Sequence, residues 1–252
     1  MSTAAGIMHA DYRVTGVADL VVYLDGRRPP SMEAIADVAA VCCAAEDRDE
    51  YGRVIIYVTG SPEGSWTNDL SLVQVSRWER ALRRLERVPV MTIGVASGDC
   101  GGIALDALLA TDYRIAATSV RLLQPVEAGA TWPGLALYRL VQQAGMAAVR
   151  RTVLLGAPIE ARDALALNLI DQLTDNTAAA LEAVPSLSGP EVAIRRQLMV
   201  DAAVVGYDDA FVAHLAACDR FIRLSRNESG HAGRHLPRSA KLTASSSAKR
   251  SS

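Results

Sequence analysis

The sequence predicts an α/β domain in which helices cover a parallel sheet. Short apolar runs alternate with amphipathic stretches through the first half, strand, helix, strand, helix, strand, helix. A glycine-rich turn, Ser97–Gly102, follows the third apolar run, and after Trp132 the pattern turns almost wholly helical. Alternation of this kind is what parallel strands joined by crossover helices require. With 252 residues, half of them apolar and 21% charged, the chain has ample material for a large core.

The elements follow in order. Asp19–Asp25 reads as a strand that exits through Gly26-Arg27-Arg28-Pro29-Pro30. Ser31 caps a helix that carries Ile35, Val38, Ala39 and Cys42 at helical spacing. Val54–Val58 is a fully buried strand, and Thr59–Asn68 is a loop with two glycines and a proline. Asp69–Arg87 forms a long amphipathic helix with Leu70, Val73, Trp78, Leu82 and Leu85 inward. Its Arg80, Arg83, Arg84 and Arg87 make a solvated face, or one that meets acidic phosphates. Met91–Ala96 is the next buried strand, Ile103–Ala110 an apolar segment broken only by Asp106, and Tyr113–Ala116 and Arg121–Leu123 are short strands. Helices follow at Trp132–Gln143, Met146–Leu155 and Ile159–Ala166, and over 191–224 in one or two pieces. One short strand, Leu169–Gln172, lies between them. The expected organisation is an N-terminal extension over 1–18, a core over 19–175, a helical region over 176–226 and a flexible tail over 227–252 rich in Ser, Gly, Ala and basic residues.

Composition narrows the function classes. A net charge of −2 lacks the basic stripe of a nucleic-acid binder. Cys42, Cys43, Cys100 and Cys218 have no metal-ligand spacing, so reduced thiols in a cytoplasmic protein are expected, with no metal. The N-terminus has no basic segment leading into an apolar run, and no apolar stretch is long enough for a membrane.

Strand, glycine turn and helix start together aim backbone N–H groups at an anionic atom. No Gly-Lys-Ser/Thr follows the glycines, so an oxyanion suits the turn better than a phosphate. Asp106 beside such donors is placed for acid/base work on a carbonyl, or is simply an acid stabilised by the helix dipole. Cys100 lies in the same turn without a histidine near it in sequence, which favours packing over nucleophilic chemistry. A serine-hydrolase reading fails for lack of a Gly-x-Ser-x-Gly elbow.

The joint order of motifs resembles the crotonase, or enoyl-CoA hydratase/isomerase, superfamily. The matching residues are Val58-Thr59-Gly60, Asp69-Leu70, Gly98, Gly102, Asp112-Tyr113-Arg114-Ile115-Ala116, Gln124-Pro125, Pro133-Gly134 and Leu155-Gly156-Ala157-Pro158-Ile159-Glu160-Ala161, spread over about residues 19–225. Within the family, the stretches 78–116 and 130–140 are most similar to the hydratase-like B components of 3,5-dihydroxyphenylglycine biosynthesis, a branch serving glycopeptide antibiotic assembly.

The resemblance implies a spiral of ββα units with a C-terminal helical region. It implies an acyl-CoA substrate, with coenzyme A entering only as part of the thioester and no other cofactor. It places the two oxyanion-hole N–H donors on Asn68 and on Ile103, or on Gly102 if the register shifts by one. Ile103 stands where the family usually has glycine. Of the two glutamates of the hydratases, the first aligns with Asp106 and the second with Val126, while Glu127 is one residue further on. In an extended segment that offset turns the side chain to the opposite face, and a loop or bulge would undo it, so Glu127 is a candidate second catalytic acid or a loop surface charge. Trp66 and Trp132 flank the implied cleft and either line an acyl pocket or pack structurally, and Arg27 and Arg28 follow the first strand, where the CoA nucleotide would meet them. The branch implies dehydration and aromatisation of a malonyl-CoA-derived polyketide thioester to 3,5-dihydroxyphenylacetyl-CoA, or a non-catalytic subunit that supports a type III polyketide synthase or a second crotonase. The family also implies a homo- or hetero-oligomer, a trimer or dimer of trimers, assembled through the C-terminal helices.

Overall fold

The computed structural model describes residues 19–47, 52–185 and 190–232. The expected N-terminal extension and the tail beyond residue 232 lie outside them. By packing, the chain divides into one compact unit up to Gln197 and a second from Leu198.

The first unit opens with β1 (Leu20–Asp25), α1 (Met32–Glu46), β2 (Arg53–Gly60), α2 (Leu72–Leu85) and β3 (Met91–Gly101). Ser31 caps α1 as expected, accepting from the Ala34 N–H at 3.1 Å. The second helix starts later than expected, at Leu72, because Ser71 and Gln74 form a reciprocal capping box. Val73 is consequently exposed, and the buried face is Trp78, Ala81, Leu82 and Leu85.

The strands β1, β2 and β3 pair in parallel, and their apolar faces are the core that covers α1 and α2. The third strand does not stop at Ala96 but continues through the glycine-rich stretch. Its first half pairs with β4 (Tyr113–Ala116) and its second, Asp99–Gly101, with β5 (Arg121–Leu123). A neighbouring strand thus keeps extended a segment whose glycines read as a turn. Between them lies α3 (Ile103–Leu109), buried along its whole length, as expected for an apolar helix inside a core.

Beyond β5 a tight hairpin joins β6 (Val126–Glu127) to β7 (Ala130–Thr131). Ala128 and Gly129 both have positive φ, 51° and 81°, the signature of the turn whose twist suits a two-residue hairpin. Helices α4 (Leu135–Ala144) and α5 (Met146–Leu155) follow, with Gly156 closing α5 in the left-handed conformation. The expected helix at Ile159 begins instead as β8 (Ile159–Glu160), antiparallel to β5, and becomes α6 (Ala161–Ala166). The expected strand at Leu169 shrinks to β9 (Gln172–Leu173), beside β4. Helix α7 (Thr177–Ala183) opens the expected helical region and covers the other sheet face with Ala180 and Leu181 over Ile55, Ile93, Val95 and Ile115.

The last helices are α8 (Pro190–Ala202) and α9 (Tyr207–Ala232), so helix continues beyond Asn227. Among the described residues no helix is long and apolar enough to cross a membrane.

Candidate active site

The C-terminal ends of β1, β2 and β3 converge on the start of α3. A Cβ on Gly26 would stand 2.3 Å from the carbonyl oxygens of both Gly60 and Gly101. Gly102 has φ of +52°, and a Cβ there would press on Pro62 Cγ at 2.7 Å. These positions take glycine because the backbones touch and because φ is positive. Gly102 is the N-cap of α3 and supplies no side chain to the first turn, which leaves that turn's N–H donors without side-chain capping. Ile103 is the first of these donors, and its own side chain packs inward at 2% exposure.

The second expected donor, Asn68, sits in a turn over residues 66–69. Its N–H reaches the Ser65 carbonyl at 3.5 Å, a bond at the limit of useful length. Thr67, one residue earlier, donates its N–H to Glu127 Oε2 at 3.3 Å. Trp66 meets Trp132 edge-on with ring centroids 5.1 Å apart, and the Trp66 Nε1–H is buried without an acceptor. The structure therefore brings Trp66, Thr67, Asn68, Glu127 and Trp132 into one cluster.

The hairpin explains why Glu127 reaches that loop. Val126 and Glu127 are extended, so their side chains leave opposite faces. Val126 turns toward Gly156, where a Cβ would come within 2.6 Å of its Cγ2. Glu127 turns toward Thr67. It takes the face opposite to the one Val126 occupies, and serves the loop that carries Asn68.

Asp106 occupies a different setting. It is 7% exposed, and its Oδ2 accepts from the Trp78 indole N–H at 3.1 Å. Burial pushes its carboxyl up to about 7, and the nearby Glu79 adds to this. The Trp78 bond, the Arg139 guanidinium and the Ala136 N–H in the first turn of α4 act in the opposite sense. Near neutral pH this carboxyl is present in both protonation states, which suits a group that must take and return one proton.

The remaining expected site residues are at the rim. Arg27 is an exposed residue that grips Asp25 through Nε at 2.9 Å and Nη2 at 2.8 Å, and its guanidinium holds the Asp25 carboxyl below the usual range. Arg28 is exposed beside it. Arg27 lines a polar recess of about 280 Å³ with Thr59, Gly60, Ser61, Glu63 and Asp99. Cys100 is fully buried and its thiol is pushed up to about 12 by burial, the behaviour of a packing residue. Arg114 is structural, donating to the carbonyls of Leu108, Leu109, Thr111 and Leu169 from a buried position.

Sequence reasoning missed Glu79, Glu86 and Arg139, and took Trp78 only as packing. A signal was present: Arg139 falls between Ala136 and Leu140 on the inward face of α4, where an unpaired charge would be very costly.

Residues 71–188 match the family described as enoyl-CoA hydratase/isomerase. A protein of Amycolatopsis orientalis described as an enoyl-CoA-hydratase is 50% identical over 209 residues, spanning 81% of this chain and 96% of that protein. A probable enoyl-CoA hydratase of Mycobacterium avium (strain 104) is 31% identical over 219 residues, 79% of this chain and 80% of the other. Among solved structures, an enoyl-CoA hydratase from Shewanella pealeana ATCC 700345 superimposes with a TM-score of 0.69 at 20% identity, covering 88% of this chain and 89% of that one. The fold is that of the crotonases, and the extent of identity with these two relatives shows that the chain belongs to the enoyl-CoA hydratase/isomerase family.

Proposed function

We propose that this chain is a hydratase/dehydratase-like lyase that acts on a CoA thioester with a single acid/base group, Asp106. The observation that supports it is the setting of that carboxyl. It lies on α3 three residues after Ile103, sealed from water and poised near neutrality. We infer that the substrate is a cyclised polyketide thioester on its way to 3,5-dihydroxyphenylacetyl-CoA, and that the step is loss of water with aromatisation.

The chemistry needs few groups. Asp106 takes a proton from the carbon beside the thioester carbonyl, and the electron pair moves onto the carbonyl oxygen as an enolate. The N–H groups of Asn68 and Ile103, or Gly102, stabilise that charge; one such donor is worth about 3–4 kcal/mol in other enzymes. The enolate then collapses, a carbon–carbon double bond forms, and the neighbouring hydroxyl leaves as water with the proton that Asp106 returns. Trp66 and Trp132 offer aromatic surface to the acyl ring, and the unpaired Trp66 Nε1–H offers a donor to one of its oxygens. Glu127 braces the loop with Asn68. Arg27 and Arg28 meet the CoA phosphates at the rim.

A second reading is a non-catalytic subunit that stabilises or activates a type III polyketide synthase or another crotonase. Ile103 in place of glycine and Val126 in place of the second glutamate favour it. The C-terminal helices suit association in either case, since α9 exposes Tyr207, Phe211, Leu215 and Ile222.

Product analysis separates the two. Malonyl-CoA is incubated with the synthase and either the intact chain or Asp106→Ala. A rise in the dihydroxyphenylacetyl product with the intact chain alone supports the lyase. An equal rise with both assigns the partner role, and no rise with either removes the pathway.

A further inference from the structure

Helices α2 and α4 meet through a buried ion cluster that the catalytic reading leaves unused. Arg139, on α4, donates from Nη1 to Glu79 Oε2 at 3.0 Å and from Nε to Glu86 Oε1 at 2.8 Å. Its side chain is 9% exposed, and those of Glu79 and Glu86 are 14% and 19% exposed. Glu79 directly follows Trp78, the donor to Asp106. Arg139 lies one turn after Ala136, whose N–H faces the same carboxyl. Helix α2 thus contributes one neighbour of the acid and, with Glu86 at its C-cap, two members of the ion cluster, and α4 contributes one of each.

The charges balance only while Asp106 is neutral. Arg139 answers Glu79 and Glu86, and Glu86 Oε2 also accepts from Arg83 Nη1 at 2.8 Å, so two guanidiniums meet two carboxylates. Ionising Asp106 adds an unmatched negative charge near Glu79 in a poorly solvated interior, which is costly.

We propose that Glu79 and Arg139 are positioning residues: their bridge docks Trp78 and the first turn of α4 onto Asp106, and the Glu79 carboxylate held near Asp106 sets the balance between the neutral and ionised acid. This rests on the reading of Asp106 as the acid/base. The groups that face Asp106 are Trp78 and Glu79 from α2, and Ala136 N–H and Arg139 from α4, with Glu86 behind Arg139 and Arg83 paired to Glu86; α3 carries no other titratable side chain. The direction of the Asp106 shift, upward by burial and then by Glu79, agrees with this arrangement.

The test reads the acid through its donor and needs no substrate. Trp66→Phe with Trp132→Phe leaves Trp78 as the sole indole of the three in the chain. Its nitrogen-15 indole resonance is expected to titrate with a midpoint near about 7 and to stop titrating in Asp106→Asn. Glu79→Gln should move the midpoint to lower pH by about one unit. Glu79→Asp, which keeps the charge, should hold it near the native position. A purely structural Glu79 would lower stability and leave the midpoint where it was, and that result overturns the proposal. So does a titration that survives Asp106→Asn. Should the double tryptophan variant not fold, the carbon-13 carboxyl resonance of Asp106 in the otherwise native chain gives the same reading. Product formation indifferent to Asp106→Ala would overturn the functional reading and leave the tuning intact, because the resonance reports on no substrate.

Discussion

Asp106 and Glu127 are the two candidate site carboxylates, and they end in opposite surroundings. Asp106 lies inside a wholly buried helix, takes one indole donor and is pressed by a neighbouring carboxylate. Glu127 lies on a two-residue strand beside a tight turn, half-buried, and accepts a single backbone bond from Thr67. On the proposed reading, the same functional group serves as a proton carrier in one place and a loop brace in the other. Surroundings assign the role, through desolvation and partners, and residue type does not.

The largest expected effect breaks the comparison at its centre. Asp106→Ala should cost about 10²–10⁴-fold in product formation, the usual contribution of a positioned acid/base. Glu127→Gln, which retains an oxygen for the Thr67 N–H, should cost less than about tenfold. Equal losses in the two variants would erase the distinction.

The next effect is on stability and depends on pH. The Asp106 carboxyl titrates near 7 in the fold and near its ordinary value of 3.8 when unfolded, so the folded state holds more protons between those limits. Its stabilising contribution is therefore complete below about pH 4 and is lost as pH rises through about 7. Asp106→Asn keeps an acceptor for Trp78 and has no charge to bury. Denaturant unfolding should show it more stable than the native chain by up to about 4 kcal/mol at pH 8, with no gain at pH 4.

A smaller effect sharpens the hairpin side. Gly156 has φ of +67°, and a Cβ there would meet Val126 Cγ2 at 2.6 Å. Gly156→Ala should destabilise by about 1–2 kcal/mol and displace the hairpin that carries Glu127. Thermal unfolding measures the first, and hydrogen exchange at the Thr67 amide the second. The smallest effect falls on the Asp106 side: Ser71→Ala removes the capping box of α2, the helix that supplies Trp78 and Glu79, at a cost of about 1 kcal/mol in unfolding free energy.

Much of this architecture was legible in the chain. The apolar runs at β1, β2 and β3 and the Ser31 cap follow from local pattern and capping chemistry, and the apolar segment broken only by Asp106 is α3. The alternation of a strand also implied that Glu127, the candidate second acid, would turn to the face opposite Val126 if the segment were extended, and it is extended. Three features were not legible, because each depends on a partner distant in sequence. The glycine-rich stretch 97–101 is strand because β2 and β5 flank it. The short β8 exists only against β5. The cluster of Glu79, Glu86 and Arg139 forms only when α2 and α4 meet.

The sequence by itself determined the three long parallel strands, the helices that cover them and the two candidate carboxylates, because periodicity, capping and the fixed spacing along a helix are local properties. Tertiary structure alone decided which carboxylate is sealed from water, which cation answers it and which loop the other braces. Desolvation and Coulomb interaction depend on distances across the fold, and those are set only when the chain has packed.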